Sequence, residues 1–237
     1  MIHRLLASFS TDSVDGSKVI INWNPLKRCI LMLLLAGTLN VLWLIWKTYI
    51  IITPSLHNLV NLPLVKFMVG VNCFFILGLF SLIYPCYKLQ KNPKAEAILP
   101  YICVGFFVLT LMYDGYMVGS MSPATLCGMI SVISVGFVLF NTKLVYSMLL
   151  PSLAIIIGLI YCSTLGMIPY APIFNIAAMQ YQPYVNSFWL MSMLYFITPI
   201  AIGCFLVFDI ILKQWHVREK TFQTLSRIDP LTHLLNR

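Results

Sequence analysis

Six apolar stretches separated by short polar breaks divide the sequence: residues 29–49, 64–87, 98–118, 124–140, 144–164 and 188–212. Hydrocarbon offers no water to backbone N–H and C=O groups, so an unbroken apolar run of about 20 residues is read as a membrane-spanning helix. The fourth stretch, 17 residues, sits at the short limit of such a span. The pattern predicts an all-α fold. Residues 1–27 read as a cytoplasmic N-terminal segment, 28–212 as a six-helix transmembrane bundle, and 213–228 as a cytoplasmic signalling helix.

Composition agrees with this reading and excludes a soluble protein. Hydrophobic residues make up 60% of the 237 and charged residues only 9%, where soluble domains approach a quarter; mean hydropathy is +0.89. Cytoplasmic loops retain Lys and Arg. An even number of spans puts both termini, residues 88–94 and Lys143 on one side, together with thirteen of the fifteen basic residues; only Lys47 and Lys66 fall opposite. Both termini are therefore expected to be cytoplasmic. The net charge of +8 then reflects topology and attraction to anionic lipid, not nucleic-acid binding. Residues 1–23 lack a signal-peptide plan and are expected to be retained, with 2–9 able to lie as a short amphipathic turn on the membrane surface.

Ionisable residues inside spans are costly, so each is a candidate for function. Asp209 and Lys213 are spaced for a plain i,i+4 pair. Lys47, Lys66 and Asp114 lie at a common depth near the outer ends of the first three spans, within a few ångströms at about 1.5 Å per residue. Together they would form a site of one net positive charge beside Tyr113 and Tyr116, suited to a ligand with one acidic group. The competing reading is that the two lysines snorkel to lipid while Asp114 pairs for structure alone. Asn40 and Asn72 lie deeper, about 14 and 12 Å below their outer helix ends. They can hydrogen-bond each other as interhelical glue or floor a pocket. The uncharged loop 166–186, with Tyr170, Phe174, Tyr181 and Tyr184 among three prolines, is expected to lie against the outer bundle face, as a lid or as an interfacial segment. The seven cysteines read as free, small apolar side chains, with a Cys127–Cys162 bridge left open. No histidine lies within a span, and no metal ligand set is expected.

Past the sixth span the chain stays helix-compatible, and Trp215, Phe222 and Leu225 follow an a, a, d spacing suited to a dimer seam. Asp229-Pro230-Leu231-Thr232, one intervening His233, and Leu234-Leu235-Asn236-Arg237 then close the sequence. This string resembles the opening of the GGDEF family of diguanylate cyclases, whose members usually begin Asp-x-Leu-Thr-Gly-Leu-x-Asn-Arg; His233 stands where that pattern has Gly. The resemblance covers only residues 229–237. It implies that Asp229, Leu231, Thr232, Asn236 and Arg237 form the entry turn of a cyclase domain, none of them a metal ligand. It further implies a homodimer in the bacterial inner membrane that makes cyclic di-GMP from two GTP, with Mg and GTP bound by a catalytic domain beyond Arg237. The catalytic metal-binding aspartates and the Gly-Gly-Asp/Glu-Glu-Phe loop have no counterpart in these residues. The alternative function is a small multi-span transporter or channel.

Overall fold

The computed structural model describes residues 23–179 and 182–227. The N-terminal amphipathic turn and the GGDEF-like entry turn, Asp229 to Arg237, lie outside the described residues, as do the side chains of Phe222 and Leu225. The described residues are helical and carry no strand; they form seven α-helices. These are α1 (Pro25–Ile52), α2 (Leu62–Ser81), α3 (Ile83–Lys88), α4 (Pro93–Val118), α5 (Pro123–Leu139), α6 (Thr142–Thr164) and α7 (Ser187–Arg227). Short 3₁₀ turns occupy Pro54–Leu59 and Pro183–Val185.

The sequence starts each long helix by the same device. A side-chain oxygen takes one of the first N–H groups that the helix itself leaves unpaired. Asn24, Asn61, Asn92, Ser122, Asn141 and Asn186 accept from Leu26, Leu64, Lys94, Thr125, Leu144 and Phe188. In α1, α2, α4 and α5 a proline follows within two residues of the cap, where its missing N–H costs nothing. Proline also explains the interruption at Leu82. Pro85 cannot donate to the carbonyl four residues back, and its ring crowds that carbonyl, so α2 stops at Ser81 and α3 restarts one residue on.

Five helical stretches are long and apolar enough to cross a membrane: Pro25–Ile52, Leu62–Lys88, Pro93–Val118, Thr142–Thr164 and Ser187–Lys213. The chain is a membrane protein on this ground. The fourth stretch, α5, is apolar but shorter, with 17 residues at the short limit of a span.

The chain divides into two units, one of residues 24–203 and one that includes α7 from Cys204 onward. In the first, α1 is the most enclosed element, with Leu26, Leu33, Ala36 and Ile50 fully buried. It lies against α2, where the Phe80 ring sits over Gly37 so closely that a Cβ there would stand 2.7 Å from the ring. Asn24 ties its start to the turn before α4 through the Gln90 carbonyl, 2.8 Å, and the Glu96 carboxylate. Arg28 reaches the Leu139 carbonyl at the end of α5, 2.8 Å away.

Of the loop, residues 166–179 pack into the end of this unit, while Tyr181 lies outside the described residues. Ala171, Ile173, Phe174 and Met179 are buried. Its backbone is held on two sides: Asn61 and Asn175 N–H groups reach the Ile173 and Leu59 carbonyls at 2.9 Å, and Ile173 N–H reaches the Met117 carbonyl at 3.2 Å. Gly119 makes room for it. At φ +120° the residue occupies a conformation that side chains disfavour, and a Cβ would meet the Tyr170 ring at 3.0 Å.

Candidate functional site

The one buried ion pair among the described residues lies in the unit formed by residues 24–203. Lys47 Nζ stands 3.1 Å from Asp114 Oδ1, and each side chain is only 4% exposed. Lys47 also donates to Asn72 Oδ1 at 2.8 Å. Asn72 Nδ2 donates to Asn40 Oδ1 at 2.9 Å, and Asn40 Nδ2 to the Ala36 carbonyl at 3.0 Å. A continuous polar chain thus runs through α4, α1, α2 and back to α1, inside otherwise apolar packing.

Helix geometry places these residues. Asn40 and Lys47 are seven apart, about two turns, and so share a face of α1. Trp43 lies on the same side between them and is buried, its ring edge-on to Phe196 at 6.1 Å. Next to Lys47, Trp46 donates to Ser192 Oγ at 3.3 Å and packs against Phe174 of the plugging loop, 6.1 Å between centroids. The site is therefore enclosed by α1, α2 and α4 and sits about one helical turn from the loop that closes this end.

Of the residues expected to meet here, Lys47, Asp114, Asn72 and Asn40 are brought together. Lys66 is not. It is exposed beside Phe67, whereas Val65, Met68 and Asn72 form the buried side of α2. Six residues separate Lys66 from Asn72, about 600° of helix or 240° of net rotation, which points it away from the site. Equal depth does not imply equal azimuth. Without Lys66 the site is neutral, so the single positive charge expected to attract an acidic ligand is not formed. Tyr113 is half-buried, edge-on to Phe75 at 5.6 Å, and Tyr116 is half-buried without a ring partner among the described residues.

Three buried polar atoms here have no hydrogen-bond partner among the described residues: Asp114 Oδ2, the Tyr113 hydroxyl and Trp43 Nε1. Trp43 is not among the residues that charge and depth single out, although its spacing of three and four from Asn40 and Lys47 puts it on their face of α1. Buried polar groups are nearly always satisfied, so each of these atoms is an exception within the apolar packing. They offer one acceptor, one indole donor and one hydroxyl. Among the described residues, no group of three or more His, Cys, Asp or Glu side chains is set out to hold a metal ion.

On α7, Trp215 is exposed, and Asp209 and Lys213 form the expected i,i+4 pair at 2.6 Å. Compared with known proteins, the chain matches no family model, no curated protein and no solved structure.

Proposed function

We propose that this chain is the membrane sensor and dimerisation part of a bacterial diguanylate cyclase. In this reading it crosses the inner membrane six times, with both termini cytoplasmic, and the cyclase domain, with its Mg and GTP, follows Arg237. The carrying observation is the placement of the GGDEF-like string directly after a long helix. α7 runs unbroken for 41 residues from Ser187 to Arg227. Its spanning part ends at Lys213, so residues 214–227 extend it by about 21 Å at 1.5 Å per residue. A continuous helix between membrane and output domain transmits rotation and displacement, and Trp215, Phe222 and Leu225 are spaced to pair two copies.

The stimulus in this reading is a small ligand at the outer half of the bundle, answered by Asp114 Oδ2, Tyr113 and Trp43 beside Lys47, Asn72 and Asn40. A neutral site with one free acceptor and one free donor favours an uncharged polar ligand over an acidic one.

The coding sequence beyond Arg237 tests the proposal directly. A Gly-Gly-Asp/Glu-Glu-Phe loop is expected there, with GTP-dependent cyclic di-GMP formation by the complete protein. A stop after Arg237, or an unrelated domain, overturns it. In the complete protein, each residue inserted between Lys213 and Gln223 turns the tail by about 100°, while seven nearly restore its phase. One- or two-residue insertions should change output strongly and seven should largely preserve it. The transporter or channel reading draws only on the buried pair between helices; solute flux in proteoliposomes would favour it.

A further inference from the structure

Away from the Lys47 site, three cysteines far apart in sequence meet. Cys29 of α1, Cys86 of α3 and Cys103 of α4 are each fully buried. Cys86 Sγ lies 3.5 Å from Cys103 Sγ. Cys29 lies within electrostatic reach of both, while the hydrogen-bonded contact is the one between Cys86 and Cys103. The remaining four cysteines differ: Cys73 is exposed, and Cys127, Cys162 and Cys204 are half-buried. A sequence reading that treats all seven as independent apolar fillers does not anticipate this convergence, and the sensor reading makes no use of it.

We infer that Cys86, Cys103 and Cys29 form an oxidisable site whose co-substrate is a hydroperoxide, water-borne or lipid-borne. A disulfide needs about 2.05 Å between sulfurs, so Cys86 and Cys103 must approach by about 1.5 Å. Cys86 sits on α3, a six-residue helix set off from α2 by the break at Leu82, which can supply that movement. Burial in apolar surroundings normally leaves a thiol inert. Here the Cys103 S–H is in contact with the Cys86 sulfur and can donate to it as negative charge develops. The attacking and resolving thiols are also already in contact, which removes the entropic cost of bringing them together.

The chemistry balances in two steps. Cys86 sulfur attacks one peroxide oxygen, the O–O bond breaks, and the thiol proton leaves on the departing oxygen; this gives a sulfenic acid and an alcohol, or water when the oxidant is hydrogen peroxide. Cys103 sulfur then displaces the sulfenic hydroxyl, which takes up the Cys103 proton and leaves as water. Two thiols have lost two electrons, taken up by the two peroxide oxygens. Cys29 can afterwards attack the new disulfide, moving the cross-link to α1 without further oxidant.

The test uses the full chain in lipid vesicles, reduced and then freed of reductant. It is exposed either to aqueous hydrogen peroxide or to a lipid hydroperoxide placed in the bilayer, then denatured and alkylated. The intact mass should show seven labels before oxidation and two fewer after, with peptide mapping joining Cys86 to Cys103 or either to Cys29. The faster arm identifies the source of the oxidant. Cys73→Ala should still lose two labels, and the double variant Cys86→Ala/Cys103→Ala none. If the double variant does not fold, mapping on the unaltered chain decides alone. Retention of all seven labels in both arms, or a bridge confined to the other four cysteines, overturns the inference.

Discussion

Two ion pairs in this molecule differ in the opposite sense from their lengths. Asp209 and Lys213, one turn apart on α7, approach to 2.6 Å with side chains 54% and 62% exposed. Lys47 and Asp114, from separate helices, stand 3.1 Å apart at 4% exposure each. The shorter pair matters less. At the end of the spanning stretch each member can reach headgroups and interfacial water with or without its partner, and such exposed pairs contribute only a few tenths of a kcal/mol. In the bundle neither charge has water to return to, so each depends on the other. Environment, not distance, sets what a pair does for the fold.

The largest effect should come from separating the buried partners. Asp114→Asn leaves the Lys47 charge buried and uncompensated, and should cost about 3–5 kcal/mol in reversible unfolding within lipid or detergent. Removing both charges sharpens the contrast. Lys47→Met/Asp114→Leu should be at least about 2 kcal/mol more stable than the sum of its single changes implies, because well-packed apolar residues replace a buried pair at little cost. Additivity in that cycle would show that the two residues do not depend on each other. A smaller loss, about 1–3 kcal/mol, is expected for Asn72→Leu, which removes a hydrogen bond from Lys47 and orphans Asn40 Oδ1. Smallest of all is Lys213→Ala: about 0.3–0.5 kcal/mol at low ionic strength, fading as salt is raised to 1 M. A Lys213→Ala loss as large as that of Asp114→Asn would overthrow the comparison.

Much of this arrangement was legible in the residues. Apolar runs located the helices, and depth counting placed Lys47 level with Asp114. The helices begin one to five residues earlier than the runs because their first turns carry prolines and polar or charged residues, such as Pro93, Lys94 and Glu96, which drop out of a hydropathy pattern. Depth counting also placed Lys66 with the pair, since it measures height along a helix and ignores rotation about it. The Asn40–Asn72 bond is the case where depth and azimuth agree. Cys29, Cys86 and Cys103 share no sequence spacing, and only the packing of three helices brings them together. The way residues 173–175 engage Leu59, Asn61 and Met117 depends on backbone groups, which carry no residue-specific signal.

The 67-residue separation of Lys47 and Asp114 has a consequence for biogenesis. At about 5–20 residues per second, several seconds separate the synthesis of the cation from that of its anion. During that interval α1 enters the bilayer with an ammonium and no carboxylate to meet it. Lys47 lies only five residues from the end of α1, close enough for its four-carbon stem to hold the charge at the headgroups. Snorkelling thus describes the nascent lysine, and pairing the mature one. The arrival of α4 draws the charge inward and turns the later helix into an intramolecular chaperone for the first.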